Sequence, residues 1–95
     1  MIQKSKPLFQ LGRTVATHGA LEVLQKTNQS PLEFYERHQH GDWSELCSED
    51  KEANELALKN GDRIFSVYHL NDKTKIWIIT EADRSATTIL LPEEY

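Results

Sequence analysis

Four polar residues in the last third of the chain have the types that phosphate chemistry needs. Glu81, Asp83 and Arg84 fall within one short break, and His69 lies on the run before it. Small ribonucleases use a histidine or glutamate with an arginine on a sheet face, one group moving the proton and the cation holding the phosphate. The catalytic set on this alternative is His69, Glu81 and Arg84, and no other catalytic residue is assigned. The spacing opposes it. Glu81 ends one strand-like run and His69 nearly ends the preceding one, so a short turn leaves them at opposite ends of a hairpin. In the structural alternative, Asp83, Arg84 and Ser85 form a capped, ion-paired turn that sets hairpin register.

His38-Gln39-His40, with Asp42 and Cys47 near by, has ligand types for a metal. Zinc wants four ligands, usually from two separated pairs, and here a single H-x-H stands alone. Positions i and i+2 of a helix point apart, so the imidazoles converge only if the helix has ended. No metal is assigned. The pair reads instead as a solvated helix end, with a histidine near the C-terminal dipole. Cys47 is flanked by Glu45 and Glu49 with no lysine or arginine close by, an environment that disfavours a thiolate nucleophile. No phosphate loop, GxGxxG, GxSxG or HExxH occurs, and no cofactor is implied.

The remaining candidates are contact residues. Trp43, Tyr68, Trp77 and Tyr95 have the side chains that anchor interfaces. They are also ordinary core residues, and core is favoured for Trp43 and Trp77. The binding set is Tyr68, Trp77, Asp83, Arg84 and Tyr95.

These residues must be positioned by the elements around them. Residues 63–95 contain three runs rich in β-branched and aromatic residues, separated by Asn71-Asp72-Lys73 and Ala82-Asp83-Arg84-Ser85. That is the pattern of an antiparallel three-stranded meander over 63–70, 75–81 and 86–91. On the first strand Ile64, Ser66, Tyr68 and Leu70 share one face. The central strand is apolar on both faces, so it is either buried twice or exposes an aromatic patch. Pro92 stops the third strand.

Upstream, helices are expected over 19–27, 31–40 and 49–60. Thr17 can cap the first and Asn28 can stop it. Ser30-Pro31-Leu32-Glu33 has the form of a capping box with proline at the first helical position. Ser48 can cap the third, with Glu49 and Asp50 in its first turn, and Gly61 can close it. Residues 1–7 read as a flexible arm, and Leu8–Thr17 as a short strand or a structured lead-in. Core candidates are Leu21, Leu24, Leu32, Phe34, Trp43, Leu56, Phe65, Val67, Ile76, Ile78, Ile89 and Leu91.

Ninety-five residues make a single domain, 1–95. Hydrophobic content of 38% and charged content of 27% are those of an ordinary globular chain. A formal net charge of −4 argues against nucleic acid as a general ligand. One cysteine allows no intrachain disulfide and fits a reducing cytoplasm. No apolar run is long enough for a membrane span.

IWIITEADRSATTILLPEEY over 76–95, LGRTVATHGALEVL over 11–24 and GDW over 41–43 resemble a family of small bacterial proteins labelled plasmid-related and carried on mobile elements. The resemblance brings no activity, cofactor or catalytic residue. It implies bacterial origin and a place in plasmid or phage biology, a setting rich in toxins, antitoxins and inhibitors of host defence.

The expected architecture is α+β: three helices packed on a C-terminal three-stranded antiparallel meander, joined by an extra N-terminal strand if the lead-in is extended. The expected function is a non-enzymatic, cytoplasmic interaction module that binds a protein partner not identified by the sequence. The alternative is a small ribonuclease-like enzyme or toxin. Self-association as a homodimer through the edge strand Ala86–Leu91 is a third route.

Overall fold

The computed structural model describes residues 6–95. Most of the expected arm over 1–7 lies outside them, and its described members, Lys6 and Pro7, are exposed. The elements are β1 (Arg13–Ala16), α1 (His18–Lys26), α2 (Pro31–Gln39), α3 (Ser48–Asn60), β2 (Ile64–His69), β3 (Lys75–Thr80) and β4 (Ala86–Leu90), followed by a 3-10 turn at Pro92–Glu94. This is the expected α+β class, with the extra N-terminal strand formed.

The sheet is mixed rather than purely antiparallel. Its order is β1-β4-β3-β2. β2, β3 and β4 make the meander, and β1 lies parallel to β4, with Arg13 opposite Ala86 and Ala16 opposite Ile89. Parallel pairing needs a long crossover, and the three helices between β1 and the meander supply it. Gly12 makes the approach feasible. Its φ is +66°, and a Cβ there would collide with the carbonyls of Arg84 and Ser85.

This topology corrects the expected homodimer edge. The Ala86–Leu91 strand is covered by β1 and is interior to the sheet. The outer strands are β1, only four residues long, and β2. The β2 edge is guarded by side chains. The Asn54 amide donates to the Phe65 carbonyl at 2.6 Å and accepts from the Phe65 N–H at 3.0 Å. Glu45 accepts from the His69 N–H at 2.9 Å. Both groups take hydrogen bonds that an added strand would need.

The helix signals act locally with two changes. Thr17 caps α1 by accepting from Ala20 N at 3.1 Å, and Asn28 follows α1 in the left-handed region at φ 57°. Ser30 caps α2 through Leu32 N at 3.2 Å, whereas Glu33 N donates to the Ser30 carbonyl, so the expected side-chain box to the Glu33 amide does not form. Cys47, not Ser48, precedes the first helical residue of α3 and makes no side-chain cap. Gly61 ends α3 at φ 73°.

Strand parity sorts the sheet as expected. Ile64, Ser66, Tyr68, Ile76, Ile78, Thr80, Thr87 and Ile89 are buried under the helices. Phe65 and Val67 lie on the opposite face and are only half-buried. Three expected core leucines are outside: Leu21, Leu32 and Leu56 are 42%, 62% and 57% exposed. The helices pack instead through Ala20 and Leu24, through Phe34, Tyr35 and His38, and through Asn54 and Ala57. For α3 the reason is reach. A small side chain at Ala57 lets the helix approach β2 closely enough for Asn54, one turn earlier, to bond the Phe65 backbone.

Asn54→Ala leaves two backbone groups of β2 without these partners and is expected to lower unfolding stability by about 2 kcal/mol. Leu56→Ala, two positions away and exposed, is expected to cost less than about 0.5 kcal/mol. Urea denaturation of both variants checks the pair. Equal effects would remove the edge-guarding role.

Candidate functional site

The structure does not bring His69, Glu81 and Arg84 together. Thr80 pairs with Ile64 and Lys75 with His69, so Glu81 and His69 stand at opposite ends of the β2–β3 hairpin. Six strand residues separate them, about 20 Å. Each has other work. The Arg84 guanidinium donates to the carbonyls of Asp62 at 2.6 Å, Ala82 at 3.0 Å, Glu81 at 3.1 Å and Ala57 at 3.2 Å. It clamps the β3–β4 turn to the end of α3, and its backbone sits at φ 60°. Asp83 accepts from Ser85 N at 3.0 Å within the same turn. Glu81 pairs with Arg63 at 3.5 Å.

His69 has a different carboxylate and a different arginine beside it. Its Nδ1 lies 2.6 Å from Glu45, which also accepts from Arg37 at 3.1 Å. Arg37 in turn pairs with Asp42 at 2.6 Å and lies 4.3 Å over the Tyr68 ring. Sequence spacing missed this group because its members come from α2, the loop after it and the end of β2. It ties those segments together.

Histidines 38 and 40 diverge. His40 Nδ1 lies 2.8 Å from the Glu36 carbonyl of its own helix. His38 is not at a solvated helix end: it is fully buried. Its Nδ1 is 2.5 Å from Ser66 Oγ and its Nε2 is 2.8 Å from Thr80 Oγ1. Thr80 Oγ1 is 2.7 Å from Thr87 Oγ1, and Thr87 donates to the Leu11 carbonyl at 2.8 Å. A carbonyl can only accept, so proton positions follow back along the chain. Thr80 donates to Thr87, and His38 Nε2–H donates to Thr80. Burial disfavours the charged ring, so the imidazole is neutral, its Nδ1 accepts from Ser66, and both nitrogens are used. Burial pushes its pKa down to about 3. The signal was present in the sequence: three hydroxyl residues on the inward parity of the strands need a polar partner, and His38 shares a helix face with Phe34 and Tyr35.

Tyr68 does not join a contact surface. It is fully buried, its hydroxyl donates to the Asp42 carbonyl at 2.6 Å, and burial pushes the phenol pKa up. Trp43 anchors its loop as expected, packed with Phe9, Leu46, Ala57 and Ile64. Its Nε1 is buried and finds no acceptor among the described residues. Cys47 is exposed.

Trp77 and Tyr95 do come together, on the sheet face that carries no helix. Register puts Val67 opposite Trp77 and Phe65 opposite Ile79, with Leu90 and Thr88 next on β4. Phe65 and Trp77 meet edge to face at 5.2 Å and 86°, and Trp77 and Tyr95 at 5.6 Å and 64°. Arg63 donates to the Tyr95 hydroxyl at 3.3 Å. Between Arg63, Phe65, Trp77, Ile79 and Tyr95 lies a cavity of about 260 Å³. A larger one of about 530 Å³ borders the 41–44 loop and α3, with Asp42, Lys51 and Glu55 among its lining residues. Sequence reading put Trp77 and Tyr95 in the binding set but favoured core for Trp77, which is half-buried here; Phe65 and Val67, expected in the core, are half-buried at the margin of the Trp43 cluster. Strand alternation alone does not say which face the helices cover.

Among the described residues no three histidine, cysteine or acidic side chains are grouped to hold a metal, and no helix is long and apolar enough to cross a membrane. Comparison with protein-family models, curated proteins and solved structures finds no match to this chain.

The His38 geometry has a measurable consequence. Between its folded pKa of about 3 and its unfolded value of 6.5, the unfolded chain binds a proton that the folded chain refuses. Stability therefore falls as pH falls through that window, by up to about 1.4 kcal/mol per unit. His38→Gln keeps a donor and an acceptor but cannot titrate. Urea unfolding at about pH 7 and about pH 5 is expected to cost the wild type about 2 kcal/mol more than the variant. Equal losses would show that His38 is not the titrating group.

Proposed function

We propose that this protein is a non-enzymatic interaction module that binds a protein partner through the helix-free face of its sheet. One observation carries the proposal. Phe65, Val67, Trp77, Ile79 and Tyr95 lie on that face, none of them fully buried, and all but Val67 line a cavity open to solvent. A folded chain gains by covering such a surface, at about 25 cal/mol per Å². Aromatic side chains around a small cleft are also the usual form of a binding hot spot.

The partner is taken as protein rather than nucleic acid. Base stacking needs flat, open rings, and here Phe65 and Trp77 stand edge to face. The net charge of −4 adds no general attraction for phosphate. A ribonuclease centred on His69, Glu81 and Arg84 lacks comparable support, because the last two hold turns and ion pairs and lie far from the first. The proposed setting is the one that the resemblance implies: the bacterial cytoplasm, on a plasmid or phage.

A tagged full-length chain should retain a specific protein from nuclease-treated bacterial lysate. Trp77→Ala, shown by cooperative urea unfolding to be folded, should lower that retention at least about tenfold. Leu56→Ala, apolar and exposed elsewhere, should leave it unchanged. Retention that survives Trp77→Ala, or that disappears with nuclease, would overturn the assignment of the face.

A further inference from the structure

The helix-free face has two adjoining hollows, with one aromatic ring between them. The cavity of about 260 Å³ at Phe65 and Trp77 neighbours a second of about 230 Å³ at Glu81, Thr88 and Leu90. Arg63, Ile79 and Tyr95 border both. Ile79 belongs to β3 and forms part of the floor. The ridge above it is the Tyr95 ring, with Arg63 donating to its hydroxyl at 3.3 Å. Ligand sites begin at about 300 Å³. Each hollow is smaller than that, and joined they exceed it.

The ring is loosely held. Tyr95 is 72% exposed, meets Trp77 edge to face at 5.6 Å, and has only the long bond from Arg63 on its hydroxyl. What fixes the segment is the residue before it. Glu94 Oε1 accepts from Thr17 Oγ1 at 2.6 Å and from Leu91 N at 2.8 Å. Its other oxygen lies against Gly19 in the first turn of α1, where an added Cβ would stand 2.7 Å from Glu94 Oε2 and 3.1 Å from Leu91 Cδ1. That turn has no acidic residue of its own, and Glu94 supplies the carboxylate that a helix start favours. The strap over 92–95 is therefore latched at its foot by Glu94 and free to move at its tip.

Resting on the docking face proposed above, we infer that this strap gates it. Latched, Tyr95 divides the groove and occupies the place beside Trp77. With Glu94 off Thr17, Tyr95 swings away, the two hollows join into one groove across β2, β3 and β4, and the partner takes the place of the ring. Tyr95 and the partner compete, so apparent affinity is the intrinsic affinity reduced by the fraction of molecules with the strap open.

The test uses the full-length, ¹⁵N-labelled chain and the variants Glu94→Ala, Gly19→Ala and Tyr95→Ala, each first shown to unfold cooperatively in urea. Gly19 has no left-handed φ, so alanine suits the helix there while its Cβ pushes the latch out. The Trp77, Ile79 and Thr88 amide shifts of Glu94→Ala and Gly19→Ala should lie on a line from wild type towards Tyr95→Ala. The probe p-cresol, which is the tyrosine side chain alone, should shift Phe65, Trp77 and Ile79 in Tyr95→Ala at severalfold lower concentration than in wild type. Both latch variants should retain severalfold more protein from nuclease-treated lysate. Latch variants that superimpose on wild type, or p-cresol that binds both chains equally or neither, would overturn the gate. Capture that is lost in Trp77→Ala but unchanged or lowered in the latch variants overturns the gate and leaves the docking face standing. Capture that survives Trp77→Ala overturns both.

Discussion

The buried imidazole of His38 joins α2 to every strand of the meander. Ser66 on β2 donates to it, it donates to Thr80 on β3, and Thr80 passes the sense of the chain to Thr87 on β4 and so to the Leu11 carbonyl. Each hydroxyl in this row is buried, and none would be tolerated there without a partner. A neutral histidine suits the position because it presents one donor and one acceptor on opposite sides of a flat ring. Apolar packing can slide, whereas this row is satisfied in one register only. The relative placement of α2, the meander and the lead-in to β1 follows from it.

With that placement set, the two faces of the sheet acquire different roles. The side of Ile64, Tyr68, Ile76, Ile78 and Ile89 is covered by helices and contains the hydrogen-bonded row. The other side is left with Phe65, Trp77 and Ile79 and only a short turn across it. The edges are closed separately, by β1 along β4 and by Asn54 and Glu45 along β2. The sheet thus ends in a four-residue strand on one side and in a strand bonded by side chains on the other, and one of its faces is left without a helix. Short and side-chain-bonded edges of this kind discourage edge-to-edge pairing.

The polar residues that most resemble catalytic groups turn out to do structural work. Arg84 satisfies four carbonyls at the junction of a turn and a helix end. The carboxylate and arginine beside His69, Glu45 and Arg37, hold the loop after α2 against β2. In both cases a charged side chain serves segments that have no regular backbone partner of their own. Loops need such bonds, because their carbonyls and amides are otherwise left to water.

Much of this was legible in the chain itself. Alternation along Ile64–Tyr68 and Ile76–Thr80, the breaks at Asn71–Lys73 and Ala82–Ser85, Pro31, Thr17 and Gly61 act through neighbours a few residues away, and they placed the three helices and the meander. Short-range rules suffice there because hydrogen bonds of caps, turns and hairpins close over short spans. What depended on distant partners was decided only in three dimensions. Leu56 lost the core to Ala57 because Asn54 had to reach Phe65, and β4 became interior because Gly12 allowed β1 to approach it. His38 passed from helix end to core, and Phe65 from core to the open face, because helix coverage of a sheet is a choice between two faces that alternation presents alike.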